Sequence, residues 1–323
     1  MQSVKMLVGT KEAITLVMLF VILGIIFPIF CPERYVINFA FYVLLYTSLA
    51  LAWNVLGGYV GYINFGSCCF FGVGAYLAAF LIENGISDIW MHIIAGSLCS
   101  GLLGLFLGAI TLRVRGIYFA ISTLALSVVM QMIIINTPQL GGALGMFLVK
   151  PHAPAPYPNF TAYLFSWLFG VTLILVIITI YIERSHIGKQ LIAMRDDEVA
   201  AECIGIPTLK LKLLAAFISC AFMGAVGGVY PYYIAYLEPY TTFSLEFTIN
   251  PIAMSIIGGT QSWLGPIVGG IVLSSFQQYL CTTISSTLSL LLTGIIIMGI
   301  VIFVPDGIIV WLRKRGIPWK RHY

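Results

Sequence analysis

Side chains capable of covalent or metal chemistry are few in this chain, and they are scattered. His92, His152, His186 and His322 have no partner at helical spacing. Cys31, Cys68, Cys69, Cys99, Cys203, Cys220 and Cys281 show no C-x-x-C spacing and read as small apolar packing residues. A phosphate loop of the form G-x-x-x-x-G-K-[ST] is missing, because Gly188-Lys189 is followed by Gln190 and lacks the upstream glycine. No group of Asp, His, Ser and Lys lies at catalytic reach. The expectation is a protein that is not an enzyme, with no catalytic residues, no metal and no cofactor.

Two constellations remain that could recognise something. The first is residues 183–212, where Arg184, Lys189, Arg195, Lys210 and Lys212 alternate with Glu183, Asp196, Asp197, Glu198 and Glu202 around Leu191, Ile192, Ala200, Ala201 and Ile204. If the stretch is helical, Ile192, Ala200 and Ile204 can share one face, and Pro207 ends it. It is then either a solvated loop or a docking helix that lays its apolar stripe into a groove on another protein. The second is the polar and aromatic set Asn54, Tyr59, Asn64 and Ser67, interleaved with Gly57-Gly58, Gly61 and Gly66. A second glycine cluster follows at Gly258-Gly259 and Gly265-Pro266. Such glycines mark either close helix packing or broken helices that expose backbone to a transported solute.

The elements carrying these residues follow from composition. Of 323 residues, 60% are apolar and 9% charged, and the net charge is +4; mean hydropathy is +1.02. This excludes a soluble globule, a disordered chain, a coiled coil and a nucleic-acid binder. Charge-free runs reach 48 residues (35–82) and 59 residues (247–305), more than twice the roughly 20 apolar residues that cross a bilayer as helix. The fold class expected is all-α, a polytopic helical membrane protein in the lipid bilayer. No run has the period-2 alternation of a barrel strand.

The expected spans are 13–31, 36–56, 66–82, 91–112, 117–137, 162–182, 213–235, 246–261, 265–282 and 285–304, about ten helices in one transmembrane domain, residues 1–323. Ten spans put both termini on one side. With that side cytoplasmic, fourteen of the sixteen lysines and arginines lie inside, and Arg34 and Lys150 alone lie outside. The span 246–261 is short, carries Pro251, and either crosses fully or re-enters. The first apolar segment lacks a signal-peptide cleavage site and reads as a permanent span. Residues 138–161 form an outer, periplasmic loop rich in glycine and proline, and 183–212 an inner one. Ionisable residues avoid span interiors apart from His92; Glu83, Glu246 and Asp306 sit at edges. Ion coupling is therefore disfavoured.

Four stretches together resemble one family. They are Leu49 to Gly61 (LALAWNVLGGYVG), Arg113 to Ala125 (RVRGIYFAISTLA), Gly188 to Ile206 (GKQLIAMRDDEVAAECIGI) and Gly258 to Pro266 (GGTQSWLGP). These look like the membrane subunits of bacterial ABC importers for branched-chain amino acids, and the second stretch points to the M-type subunit. The resemblance implies an inner-membrane permease driven by separate chains. Its partners would be a second homologous permease subunit, two cytoplasmic ATP-binding subunits and a periplasmic solute-binding protein. It also implies that Arg195, Asp196, Asp197, Glu198, Ala200, Ala201, Glu202 and Gly205 dock on the ATPase, with Val199 standing where related importers carry a glutamate. Asn54, Tyr59, Asn64, Ser67, Tyr118 and Thr123 become candidates to line the path. Branched-chain amino acids are the first-choice solute. Urea or short amides are the alternative within the family, and a stand-alone ion-coupled carrier or channel the alternative outside it.

Overall fold

A computed structural model describes residues 33–112, 116–149, 151, 154–283, 286–303 and 307–309, together with 24, 27 and 28. The expected span 13–31, the basic pair Arg113 and Arg115, Lys150 and the C-terminal tail lie outside the described residues, apart from those three isolated positions. In chain order the helices are α1 (Arg34–Gly57), α2 (Ser67–Glu83), α3 (Ile89–Thr111), α4 (Ile117–Ile135), α5 (Phe160–Arg184), α6 (His186–Asp196), α7 (Glu198–Cys203), α8 (Thr208–Ile234), α9 (Pro239–Thr242), α10 (Glu246–Gly258), α11 (Leu264–Thr283) and α12 (Ser286–Phe303). Two-residue strands β1 (Met146–Phe147) and β2 (Tyr236–Leu237) pair antiparallel, joining the 138–161 loop to the segment after α8. Each span expected from residue 36 onward coincides with one of these helices to within a few residues. Five of them, α1, α3, α4, α5 and α8, are long and apolar enough to cross a membrane.

The packing follows a rule specific to lipid. Because lipid is as apolar as leucine, helices gain little by turning large apolar residues inward, and close approach of backbones takes over. Helix α3 shows this directly. Its buried positions include His92, Gly96, Ser100, Gly104 and Gly108, spaced by four. Ile94, Leu98, Leu102, Phe106 and Ile110, with the same spacing, face outward. The small ridge lies against α8: a Cβ on Gly224 would collide with the Gly96 carbonyl and the Ser100 side chain, and one on Gly228 would come 2.7 Å from the His92 carbonyl. On the other side of α8, Gly227 meets the Phe71 carbonyl of α2. Helix α8 is thereby the shared spine of α1, α2, α3 and α5, and the aromatic core around Phe71, Tyr230 and Phe247 closes beside it.

Polar side chains inside this bundle are spent on backbone carbonyls. Ser48 donates to the Leu44 carbonyl at 2.6 Å and its hydroxyl lies within hydrogen-bond distance of that of Thr172 of α5, at 2.6 Å. Ser255 donates to the Ala50 carbonyl at 2.9 Å, stitching α10 to α1.

Replacing Gly224 with Val inserts a branched side chain between two backbones and should cost about 1–3 kcal/mol, the usual range for overpacking. Thermal unfolding of the purified variant in detergent checks this; Gly170→Ala, where a Cβ meets nothing within 4 Å, should leave the midpoint unchanged.

Candidate functional site

The 183–212 elbow is built as two short helices rather than one. Ser185 caps α6 by accepting from the Gly188 amide at 3.3 Å. The chain breaks at Asp197 (φ −154°, ψ 107°), whose Oδ1 accepts from the Val199 and Ala200 amides at 3.0 and 3.1 Å to start α7. The single helix face expected to carry Ile192, Ala200 and Ile204 is therefore divided: an aspartate able to cap prefers the end of a helix to its interior. After α7 the chain turns at Gly205, whose φ of +87° in open space explains the residue type.

The break divides the elbow residues by direction. Val199 and Ile204 are 56% and 76% exposed, and Ala200, Glu202 and Gly205 are exposed beside them. Asp196 is also outward, its contact with Arg195 a loose 3.9 Å. Ala201 is buried. Glu198 turns inward, against Lys212, which is only 3% exposed. Tyr62 completes this group. It accepts from Lys212 Nζ at 2.7 Å, donates to Glu198 Oε2 at 2.8 Å, and presents its ring 4.6 Å from the ammonium.

Two further ties join the elbow to the glycine clusters. Arg195 Nη1 donates to the Gly58 carbonyl at 2.8 Å, and its stem passes over Gly61, where a Cβ would lie 2.7 Å from Arg195 Cγ. Gly61 is also left-handed, at φ +84°. Tyr59 donates to Glu183 Oε2 at 3.3 Å, and the same oxygen accepts from the Trp263 amide at 3.2 Å. Glu183 thus bridges the connector after α1 and the connector after α10. Burial, and then the neighbouring Glu183 carboxylate, push the Tyr59 phenol well above its ordinary range, so it remains a donor.

Of the residues expected to line a path, Asn54, Tyr59, Asn64, Ser67 and Thr123 are buried and Tyr118 is 66% exposed. Asn64 and Thr123 hold the connector itself: Asn64 Oδ1 accepts from the Gly66 amide at 2.8 Å, and Thr123 Oγ1 from the Phe65 amide at 3.1 Å. Both border a cavity of about 20 Å³, room for about one water. The Asn54 amide and the Ser67 hydroxyl are buried with no hydrogen-bond partner among the described residues. Sequence reasoning missed Tyr62 and Trp263 as members of the site. It read Glu183 and Lys212 only as loop charges, although a lysine directly before the long apolar run of α8 was a signal that it needed a partner. Among the described residues no group of three His, Cys, Asp or Glu could hold a metal.

A helical bundle broken at glycine clusters and carrying a two-helix elbow matches a solved transporter. The chain superimposes on an inward-facing metal-chelate type ABC transporter with a TM-score of 0.51, over 91% of this chain and 99% of the other, at 15% identity. The two chains thus share a fold. Residues 35–302 match the family described as branched-chain amino acid transport system / permease component, and the chain belongs to that family. It is 26% identical to the high-affinity branched-chain amino acid transport system permease protein LivM of Escherichia coli K12, over 94% of this chain and 76% of that protein. Against LivH of Salmonella typhimurium the identity is 21%, over 82% and 91%. The M-type resemblance is the stronger.

Removing one partner of the buried pair should be severe. Lys212→Met takes away the ammonium that faces the Glu198 carboxylate and should cost about 3–5 kcal/mol, whereas Glu198→Gln with Lys212→Met should recover most of that loss. A double-mutant cycle on thermal unfolding measures both.

Proposed function

We propose that this chain is the M-type permease subunit of an ATP-driven importer for branched-chain amino acids. In this reading it spans a bacterial inner membrane about ten times with both termini cytoplasmic. It pairs with a second, related permease, two ATP-binding subunits grip the elbows, and a periplasmic binding protein delivers solute. Family membership supports the class. The observation that carries the coupling is the bond from Arg195 to the Gly58 carbonyl, together with the Glu183 bridge. Through them a displacement of the elbow is transmitted to both helix breaks at once.

The geometry favours a specific docking surface. Val199, Ala200, Ile204 and Gly205 point away from the bundle, and two large apolar residues this exposed on a cytoplasmic elbow are the expected anchors of a helix seated in a groove. Asp197 serves instead as a cap and Glu198 as an internal latch. Closure of the ATPase dimer would push the elbows together and turn the path outward; hydrolysis would reset it. The path itself need hold solute only weakly, because a ligand shifts such an equilibrium only by its differential affinity for the two states.

Substituting Val199→Asp and Ile204→Asp together should abolish leucine uptake and ATPase co-purification while solute capture by the binding protein is unchanged. Charge reversal across Arg195, Asp196 and Asp197 should also abolish uptake, but it removes the Gly58 tie and the α7 cap as well, so the apolar pair is the sharper test. If the double apolar variant keeps wild-type uptake, docking lies elsewhere. Reconstituted without its partners, the chain should move no leucine into liposomes.

A further inference from the structure

Depth in the membrane can be read from helix lengths. Helix α10 has thirteen residues, about 20 Å at 1.5 Å per residue, against a hydrocarbon thickness of about 30 Å. Its C-terminal end is fixed near the elbow, since Trp263, five residues beyond it, bonds Glu183. Its first residue, Glu246, therefore stops short of the opposite surface. A second ruler agrees. Thr248 Oγ1 accepts from the Cys68 amide at 3.1 Å, so the starts of α10 and α2 lie side by side. From there α2 continues for fifteen more residues to Glu83, about 22 Å further toward the far side. The segment between β2 and α10 runs back along α2, with Tyr76 bonding the Leu237 carbonyl at 3.4 Å and Phe243 seated on Gly72. Residues 238–245 are thus one turn of helix, α9, flanked by irregular backbone at membrane depth, which is tolerated where it is buried in protein or lines a water-filled cavity.

Glu246 stands at the end of that segment, and its side is exposed. Lipid is a costly neighbour for a carboxylate, so the exposed side faces water. Among the described residues no lysine or arginine pairs with it. Among the described residues its one side-chain hydrogen bond is from Asn250 Nδ2, at 3.4 Å from Oε1. Asn250 Oδ1 in turn accepts from Gln277 Nε2 at 3.1 Å, and Gln277 Oε1 is buried without a partner among the described residues. This chain of amides runs from an open carboxylate into the bundle. Phe247, stacked on Phe71 at 4.5 Å and on Tyr46 at 5.8 Å, anchors the first turn of α10 in the core. Beside the carboxylate, Leu245 and Ile249 are 45% and 49% exposed.

We propose that Glu246 is the contact for the ammonium group of the transported amino acid, with Leu245 and Ile249 flanking its apolar side chain. The proposal rests on the importer reading and names where in the membrane the solute is recognised. Other features of Glu246 fit a helix start, where a carboxylate stabilises the first turn. A structural role of that kind is sensitive to assembly, not to solute, and the test separates the two.

The experiment is uptake of radiolabelled leucine by the complete transporter, with its binding protein saturated, for wild type, E246Q and E246D. Loss of a charge-assisted contact predicts that E246Q lowers uptake about tenfold or more, with subunit assembly and leucine capture by the binding protein unchanged. E246D, which keeps the charge on a shorter stem, should retain more uptake than E246Q. Wild-type uptake with E246Q overturns the site while leaving the importer reading intact. Loss of uptake through lost assembly in both variants makes the carboxylate structural and also overturns it. A wild-type complex that moves no leucine overturns the importer reading and this site together.

Discussion

Every backbone amide and carbonyl of a chain in lipid must find its partner within the protein, and the architecture here is arranged around the few places where a helix cannot supply one. The connectors after α1 and after α10, and the segment before α10, all leave the helical ladder. Each is closed by side chains from distant parts of the chain: Arg195 on the Gly58 carbonyl, Thr123 on the Phe65 amide and Thr248 on the Cys68 amide for the first, Glu183 on the Trp263 amide for the second, Gln131 on the Pro239 carbonyl for the third. An uncompensated group in hydrocarbon costs several kcal/mol. The partners are therefore as necessary as the helices, and the elbow is held in place because it supplies two of them.

The same constraint explains what could be read in advance. Charged residues are costly at the bilayer centre, so charge-free runs located the helices from residue 36 onward, and the Lys and Arg distribution suggested an orientation. Treating every charge as a boundary put Glu246 at the edge of a span, and the structure has it as the first residue of α10, a helix of only thirteen residues. Pro251 and the shortness of that run were the available warning. Partners 124 to 150 residues apart, such as Tyr59 with Glu183 and Tyr62 with Lys212, leave no periodic trace in a single chain. The family motifs marked the elbow as a unit, but not which of its residues turn outward. That division depends on the break at Asp197, a local competition between capping and helix continuation.

Close packing decides which parts can move as one body. Where Gly96, Gly224, Gly227 and Gly228 bring three backbones into contact, there is no side-chain layer to slide, so α2, α3 and α8 form a rigid block. Helix α4 is different. Its apolar residues Ile117, Ile121, Leu124, Val128 and Val129 are exposed, and its attachments to the rest are Phe119, edge-on to Tyr62 at 5.2 Å, Ile134 at the other end, and a few polar contacts, among them Thr123 with the connector and Gln131 with the Pro239 carbonyl at 3.5 Å. With only Phe119, Thr123, Ser127 and Ile134 buried along its length, α4 is the natural place for a shift between two arrangements, while the block carries the frame.

The group formed by Glu198, Lys212 and Tyr62 fits this division of labour. Set against apolar residues of the same volume, a buried ion pair adds little net stability, because desolvation offsets most of the attraction. What it adds is register. An apolar contact between α7 and the start of α8 could slip by a fraction of a turn at small cost. A carboxylate that receives an ammonium and a phenol, with the phenol itself accepting from that ammonium, has one low-energy arrangement. In the coupling proposed above, a device that converts a push on the elbow into movement of a connector 137 residues earlier in the chain must not absorb the push by slipping. In this position a polar latch of marginal net stability transmits displacement better than a greasier, more stable one.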